Sequence, residues 1–275
     1  MTGELRGVGR TALWVAKMRA VESARPDRLF DDRFATVFLD AATAGDEAPN
    51  VGALPPGASE FLAIRTRFYD DYLLGACAAG VRQVVLLASG LDSRAFRLTW
   101  PTGVRLFELD LPDLFQFKEN ALATDDPAAG CDRIPVPADL RGDWATPLTA
   151  AGFDPAMPTA WLAEGLLLYL TMADNDRLLA AVGALSTWNS QLAFDHMHSS
   201  AGTREAVRRT EATVRRMGVD WQSSLDDPSG WLTGHGWRQP TTARVPALGE
   251  RYGRPMPDFV DLTASNATVL CTAFR

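Results

Sequence analysis

The stretch Val84-Val85-Leu86-Leu87-Ala88-Ser89-Gly90-Leu91-Asp92-Ser93-Arg94 carries the first decision about the fold. Its apolar start is of strand length with no polar alternation, so both faces of that strand are covered. Small residues follow at 88–90, and then the start of a helix. Small side chains let a ligand approach the backbone, and the first amides of a helix are unpaired donors. In a parallel sheet this turn lies at the carboxyl end of a strand, where nucleotide-type ligands bind. A strand-to-helix turn also needs small residues for packing alone, and this stretch by itself leaves that plainer reading open.

Outward from residues 83–88 the pattern repeats. Strands are predicted over 104–110, 133–137, 159–165 and 191–195. Helices are predicted over 91–98, 112–124, 144–151 and 174–187. This alternation argues for an α/β fold with a parallel sheet covered on both sides. Before it, 11–40 reads as helical with a break at Pro26, and 48–56 reads as a loop punctuated by Pro49, Pro55 and Pro56. Ser59 is the expected cap of a helix running to 79, which Gly80 ends. After it, 201–227 breaks the rhythm. Val207, Val214 and Met217 share one side of a helix there, beside Arg208, Arg209, Arg215 and Arg216. Residues 231–236 read as a helix end, 241–245 as a strand and 266–274 as a last strand. We expect one domain over 1–275, divided into an N-terminal helical arm (1–79), a core (80–198 and 229–275) and a helical lid insertion (199–228).

Composition narrows the function. With 47% hydrophobic and 22% charged residues, the chain has the makeup of a folded globular protein. A net charge of -7 speaks against a phosphate-backbone partner, which needs a basic footprint. No apolar run approaches the length of a membrane span, and residues 1–10 carry no signal-type apolar stretch, so the expected location is cytoplasmic. Cys77, Cys131 and Cys271 form no CxxC pair, and no His/Cys/carboxylate cluster has ligand spacing, so no metal is expected.

Acidic residues at the strand ends sharpen the picture. Glu108 and Asp110 close the second strand, about 20 residues after the turn, where dinucleotide folds set a carboxylate against ribose hydroxyls. Capping of the next helix is the alternative. Asp139-Leu140 follow the third strand, and Glu164 closes the fourth. A carboxylate there needs a partner, and a structural ion pair would serve as well as a ligand. A nicotinamide site would want G-x-G-x-x-G, but only Gly90 is present, with Ala88 and Asp92 nearby. The turn therefore favours a ligand without a pyrophosphate, and S-adenosylmethionine is one.

Taken in order, several segments resemble the leucine carboxyl methyltransferase family, and more closely its bacterial S-adenosylmethionine-dependent branch, which includes polyketide O-methyltransferases. They are Arg10-Thr11-Ala12, Pro26 to Asp32, Arg65 to Asp71, Gly90 to Arg94 with Arg97-Leu98, Phe107 to Pro112, Asp139-Leu140, Ala151 to Pro155, Glu164-Gly165 through Tyr169-Leu170, and Gly236-Trp237. The resemblance implies a Rossmann-like class I methyltransferase sheet, mostly parallel with its last strand antiparallel, and S-adenosyl-L-methionine as cofactor. It implies that Arg65 holds the cofactor's carboxylate and that Ala88 and Gly90 lie in the cofactor turn. It further implies that Asp110 takes the ribose, Asp139 and Leu140 the adenine side, and Glu164 the amino end. Ala88 stands where the family usually has glycine. Lys17 and Arg19 are the candidates for a family lysine in the arm.

The expected reaction is O-methylation of a small molecule, acidic or aromatic, such as a polyketide-type metabolite. A carboxylate acceptor needs no base, whereas a phenol does. His196 and His198 follow the 191–195 strand and are the candidate bases, with packing at the lid hinge as the alternative. His235 reads as a turn residue at a helix end. The arginine-rich helix either attracts an anionic substrate or is a solvated face. Trp221 and Trp231 line a substrate pocket or belong to the core. Methylation of a protein C-terminus and cofactor binding without catalysis are the competing readings.

Overall fold

The computed structural model describes residues 8–43, 57–123, 127–200, 205–256 and 268–275. The arm comprises α1 (Val8–Ser23), α2 (Phe34–Thr43) and α3 (Ala58–Ala78). The core follows as β1 (Gln83–Leu87), α4 (Arg94–Arg97), β2 (Arg105–Asp110), α5 (Pro112–Leu122), β3 (Asp132–Pro137), α6 (Ala145–Ala150) and β4 (Thr159–Ala163). It continues through α7 (Met172–Ala184) and β5 (Gln191–Met197) to α8 (Glu205–Arg216) and α9 (Pro228–Gly234). The chain closes with β6 (Arg238–Arg244), α10 (Val245–Arg251) and β7 (Thr268–Phe274). The predicted loop over 48–56, the start of the 201–227 segment and residues 266–267 lie outside the described residues.

The strands form one sheet in the order β3-β2-β1-β4-β5-β7-β6. Neighbours from β3 to β5 pair in parallel, while β7 runs antiparallel to both β5 and β6. The strand order reverses between β1 and β4, which opens a crevice at their carboxyl ends.

Alternation along each strand explains why both faces are apolar. Val85, Leu87, Phe107, Trp161 and Phe194 point to one side, beneath α6, α7 and α9. Val84, Leu86, Leu106, Ala160 and Leu162 point to the other, beneath α3 and α10. A third cluster joins the arm to α5 through Leu13, Phe34, Phe38, Leu114 and Phe117. Buried Glu22 anchors α1 further, accepting from the Leu29 amide at 2.6 Å and pairing with Arg254 at 2.8 Å. These contacts hold the arm across the end of the sheet that carries the crevice.

Two boundaries differ from the sequence reading. The helix expected to be capped by Ser59 starts two residues earlier, with Gly57 at its cap in the left-handed region (φ 77) and no side-chain cap. Strand β5 runs two residues past Asp195, because its pairing with β7 continues through His196 and Met197.

Candidate active site

A cavity of about 760 Å³ lies over the carboxyl ends of the parallel strands. Its floor is built by the turns that leave them. Ala88 and Gly90 come from the end of β1, Asp110 from β2, Asp139 and Leu140 from the end of β3, Glu164 from β4 and Asp195 from β5. Arg65 reaches in from α3. The seven residues to which the resemblance gives cofactor roles therefore share one wall.

The β1 turn is tied to β2. The Ser89 amide donates to the Leu109 carbonyl at 2.9 Å, and the Gly90 amide donates to Asp110 Oδ2 at 2.6 Å. Asp110 Oδ1 accepts from the Leu111 amide at 2.7 Å. Burial raises the Asp110 carboxyl, and the two amides act against that rise. Both Ala88 and Gly90 have φ 54, a left-handed conformation natural to glycine and strained for alanine. That backbone requirement explains a family preference for glycine at position 88.

Glu108 does not share the site with Asp110. Two residues back along the same face, it is covered by α5 and bound to Lys118 Nζ at 2.8 Å and to Arg133 at 2.7 Å. Only the strand's tip reaches the crevice. On the far side, the Asp139 carboxylate is partly exposed and bonded by the Arg141 guanidinium at 2.6 Å, which holds it below the usual range.

Beneath the floor lies a charge cluster that joins α1, α3, α4 and the ends of β4 and β5. Arg94, fully buried, donates from Nε to Asp70 at 2.7 Å and from Nη1 to Glu164 Oε2 at 2.8 Å, and also bonds Asp92. Arg97 bonds both oxygens of Asp70 at 2.7 Å. Arg65 bonds Glu164 at 3.1 Å and Asp195 at 3.2 Å. Arg19, on α1, stands 3.9 Å from both Asp92 and Glu164. Burial pushes the Glu164 carboxyl up, but Arg94, Arg65 and Arg19 overcome it and bring it down to about 2. Asp92 is likewise held far below the usual carboxylate range, burial being overridden by Arg94 and Arg19. Burial dominates at Asp195 and raises it, against the pull of Arg65 and of the Gly165 amide at 2.7 Å. Gly165 (φ 63) permits this layout, since a Cβ there would sit 3.3 Å from the Arg65 guanidinium.

The expected bases lie elsewhere. His196 is buried within β5 on the face away from Asp195. Its Nδ1 accepts from the Met197 amide at 2.8 Å, which puts the proton on Nε2, 3.2 Å from Ser223 Oγ. Burial lowers it to about 4. His198 is half-exposed, with Nδ1 2.9 Å from Ser200 Oγ and 3.5 Å from Asp226. His235 ends α9 and contacts the Trp231 carbonyl. The cavity wall contains none of these histidines. The extra length of β5 is the physical reason for the difference, since it keeps His196 inside the sheet and carries His198 past the crevice.

The roof is apolar. Trp14, Val15 and Met18 come from α1, Phe61 and Leu62 from α3, and Val207 and Val214 from α8. Trp221 also lines the cavity, whereas Trp231 packs edge-on against Phe194 and donates to Asp176 at 2.7 Å. The remaining arginines of α8 largely face solvent, and Arg215 pairs there with Glu211 and Asp220. Arg209 reaches the cavity wall.

Comparison with known proteins gives this arrangement a family. The sequence profile described as leucine carboxyl methyltransferase matches residues 12–183. The chain belongs to the leucine carboxyl methyltransferase family. Among its relatives, a protein of Parafrankia sp. (strain EAN1pec) is 49% identical over 241 residues, covering 84% of this chain and 77% of its own length. One of Frankia alni is 46% identical over 268 residues, covering 92% and 90%. Both bear the name of S-adenosyl-L-methionine-dependent methyltransferases. A crystal structure from Thermobifida fusca YX, described as a methyltransferase, covers 99% of this leucine carboxyl methyltransferase family member and 96% of itself, with a TM-score of 0.64 and 16% identity. A DUF574 family protein from Streptomyces avermitilis MA-4680 gives a TM-score of 0.60 at 15% identity, covering 94% and 96%. These two structural likenesses concern the fold alone.

Proposed function

We propose that this S-adenosylmethionine-dependent methyltransferase esterifies the carboxylate of a small-molecule acid, with arm, core and lid acting as one domain. When bound, the cofactor supplies an activated methyl on a sulfonium and a net positive charge.

The residues of the cavity floor fit that group. Asp110 gives one oxygen to each of two amides. A carboxylate has about four acceptor sites, so two remain for a pair of ribose hydroxyls. Asp139 and Leu140 border the adenine side, Arg65 takes the cofactor's carboxylate, and Glu164 faces its amino end. The ion pairs behind Arg65 and Glu164 fix both side chains before any ligand arrives, which lowers the cost of ordering them.

The observation that carries the carboxylate assignment is the absence of a histidine from the described wall, whose carboxylates are held by arginines or backbone amides. The chain's three histidines all lie outside it. The Glu164 carboxyl, at about 2, is too weak a base for a phenol. Moving a proton to it from a phenol near pKa 10 costs on the order of 10 kcal/mol. An acid is already ionised at neutral pH and needs only alignment with the methyl carbon.

The test is to incubate the protein with methyl-labelled cofactor and a panel of acids, phenols and a metabolite extract. Alkali-labile label is the expected product. Label that resists alkali, and appears only on phenols or alcohols, overturns the assignment.

A further inference from the structure

The cavity has two chemically distinct parts. Every residue to which the cofactor is assigned lies on the floor, at the strand tips or on the adjoining face of α3. Over it, the wall between α1, α3 and α8 forms a chamber that is mostly apolar, with Thr11, Tyr169, Arg209 and Thr210 among its polar residues. Trp14 and Met18 stand one helical turn apart on α1, facing Leu62 of α3, and Met217 packs with them. Val214 of α8 and Trp221 close the chamber from the lid side. The total volume, about 760 Å³, is toward the top of the range of about 300–1,000 Å³ found for drug-sized ligands, which leaves room for an acceptor beside the cofactor.

We infer that the acceptor is a lipophilic carboxylic acid whose alkyl or aryl body fills the chamber between α1, α3 and α8. This rests on the carboxylate assignment above and adds the body of the substrate to it. A second charge on the body would be left unpaired against Met18, Leu62 and Val214, and that penalty disfavours a diacid, whereas a single hydroxyl could meet the unpartnered Nε1 of Trp14. An apolar body releases water from these side chains and gains affinity with each methylene buried. The roof explains the amphipathic build of α8. Its Val207 and Val214 face inward while Arg208, Arg215 and Arg216 stay in solvent, and Arg209, at the wall, complements the approach of an anion.

The experiment uses the full chain saturated with S-adenosylhomocysteine and measures acid binding by calorimetry and by tryptophan fluorescence, since Trp14 and Trp221 line the chamber. The probes are acetate, butyrate, hexanoate, octanoate and the diacid suberate. Affinity should rise about fourfold per methylene added within the chamber, and suberate should bind far more weakly than octanoate. Val214→Asp should abolish the gain with chain length while S-adenosylhomocysteine affinity stays within threefold, about the scatter of context effects. Trp221→Ala, which enlarges the chamber, should shift the best acid to a longer chain, and it serves where Val214→Asp fails to fold. Equal affinity for acetate and octanoate, or suberate binding as well as octanoate, overturns the inference. Methyl transfer is scored separately. Alkali-labile label on hydrophilic acids, with no dependence on chain length, overturns the chamber assignment and leaves carboxyl methylation intact. Alkali-stable label on phenols alone overturns carboxyl methylation itself.

Discussion

Replacing Arg94 by methionine removes the cation at the centre of the charge cluster while keeping much of the side-chain volume. Three carboxylates lose a partner, but not equally. Asp70 keeps Arg97 on both oxygens at 2.7 Å, and Glu164 keeps Arg65 at 3.1 Å. Asp92 keeps the backbone amide of residue 94 at 2.7 Å, but Arg19, at 3.9 Å, is its one remaining ion pair among the described residues. The damage therefore falls mostly on one stranded anion, and the expected loss is that of a single broken buried pair, about 3–5 kcal/mol, rather than three times that. The assay is chemical denaturation at pH 7 and again at pH 5. In the native protein Asp92 is held below its ordinary value, so its contribution is present at neutral pH and is lost only as pH falls through the acid range. In Arg94→Met the sign reverses. Burial without a close cation raises Asp92, its charge destabilises the fold at pH 7, and protonation at lower pH relieves it. The deficit of the variant should therefore shrink from pH 7 to pH 5, and Asp92→Asn in the Arg94→Met background should restore part of the stability. A loss under about 1 kcal/mol, within the range of ordinary surface substitutions, refutes the reasoning. So does a loss that neither pH nor the second substitution changes, since that would be a packing effect.

Asp110→Ala should weaken S-adenosylmethionine binding by about 1–3 kcal/mol, roughly 5- to 150-fold, because two ribose hydroxyls lose their acceptor; calorimetry checks this, and an unchanged dissociation constant removes Asp110 from the site. Ala88→Gly should raise stability by up to about 1 kcal/mol by relieving a left-handed alanine, seen as a higher denaturation midpoint with cofactor affinity kept. His196 has a folded value of about 4 against an ordinary 6.5, so its neutral form stabilises the protein above pH 6.5 and that stability drains away as pH falls toward 4. His196→Gln should flatten the stability profile across that interval, and a slope identical to that of the native protein would count against the buried neutral ring.

Much of the architecture was legible in the chain because one physical signal dominates it. The apolar run at 84–87 and the largely apolar runs at 106–109 and 159–163 mark strands covered on both faces, and a carboxylate or small residue at their ends marks the crevice. Asp110, Asp139 and Glu164 were found in this way, since polarity at the end of an apolar strand is local information. The limits were local too. Asp195 ends an apolar run and carries the same signal as Glu164, yet reading the strand as finished there drew attention to the two histidines after it. The pairing with β7, a strand more than seventy residues later, is what extends β5 and turns His196 inward. Glu108 failed differently. Its spacing matched Asp110, and only α5 lying across the strand, with Lys118, separates a core ion pair from a ligand group.

The Arg94 cluster was least legible, and the reason bears on function. Its members come from positions 19, 65, 70, 92, 94, 97, 164 and 195, so no window of sequence contains the pattern, although Asp92 and Arg94 two residues apart beside an apolar strand are opposite charges that burial would force to pair. Such a cluster adds little net stability over well-packed apolar residues. What it fixes is position: Glu164 and Arg65 enter the floor already oriented, each through partners that no ligand displaces. Under the proposed function, a site of this kind needs only to align the methyl donor with an acceptor that is already ionised. On the proposed carboxylate reading, the cluster, the inward-turned histidine and the mostly apolar roof serve one chemistry, in which geometry and exclusion of water take the place of a general base.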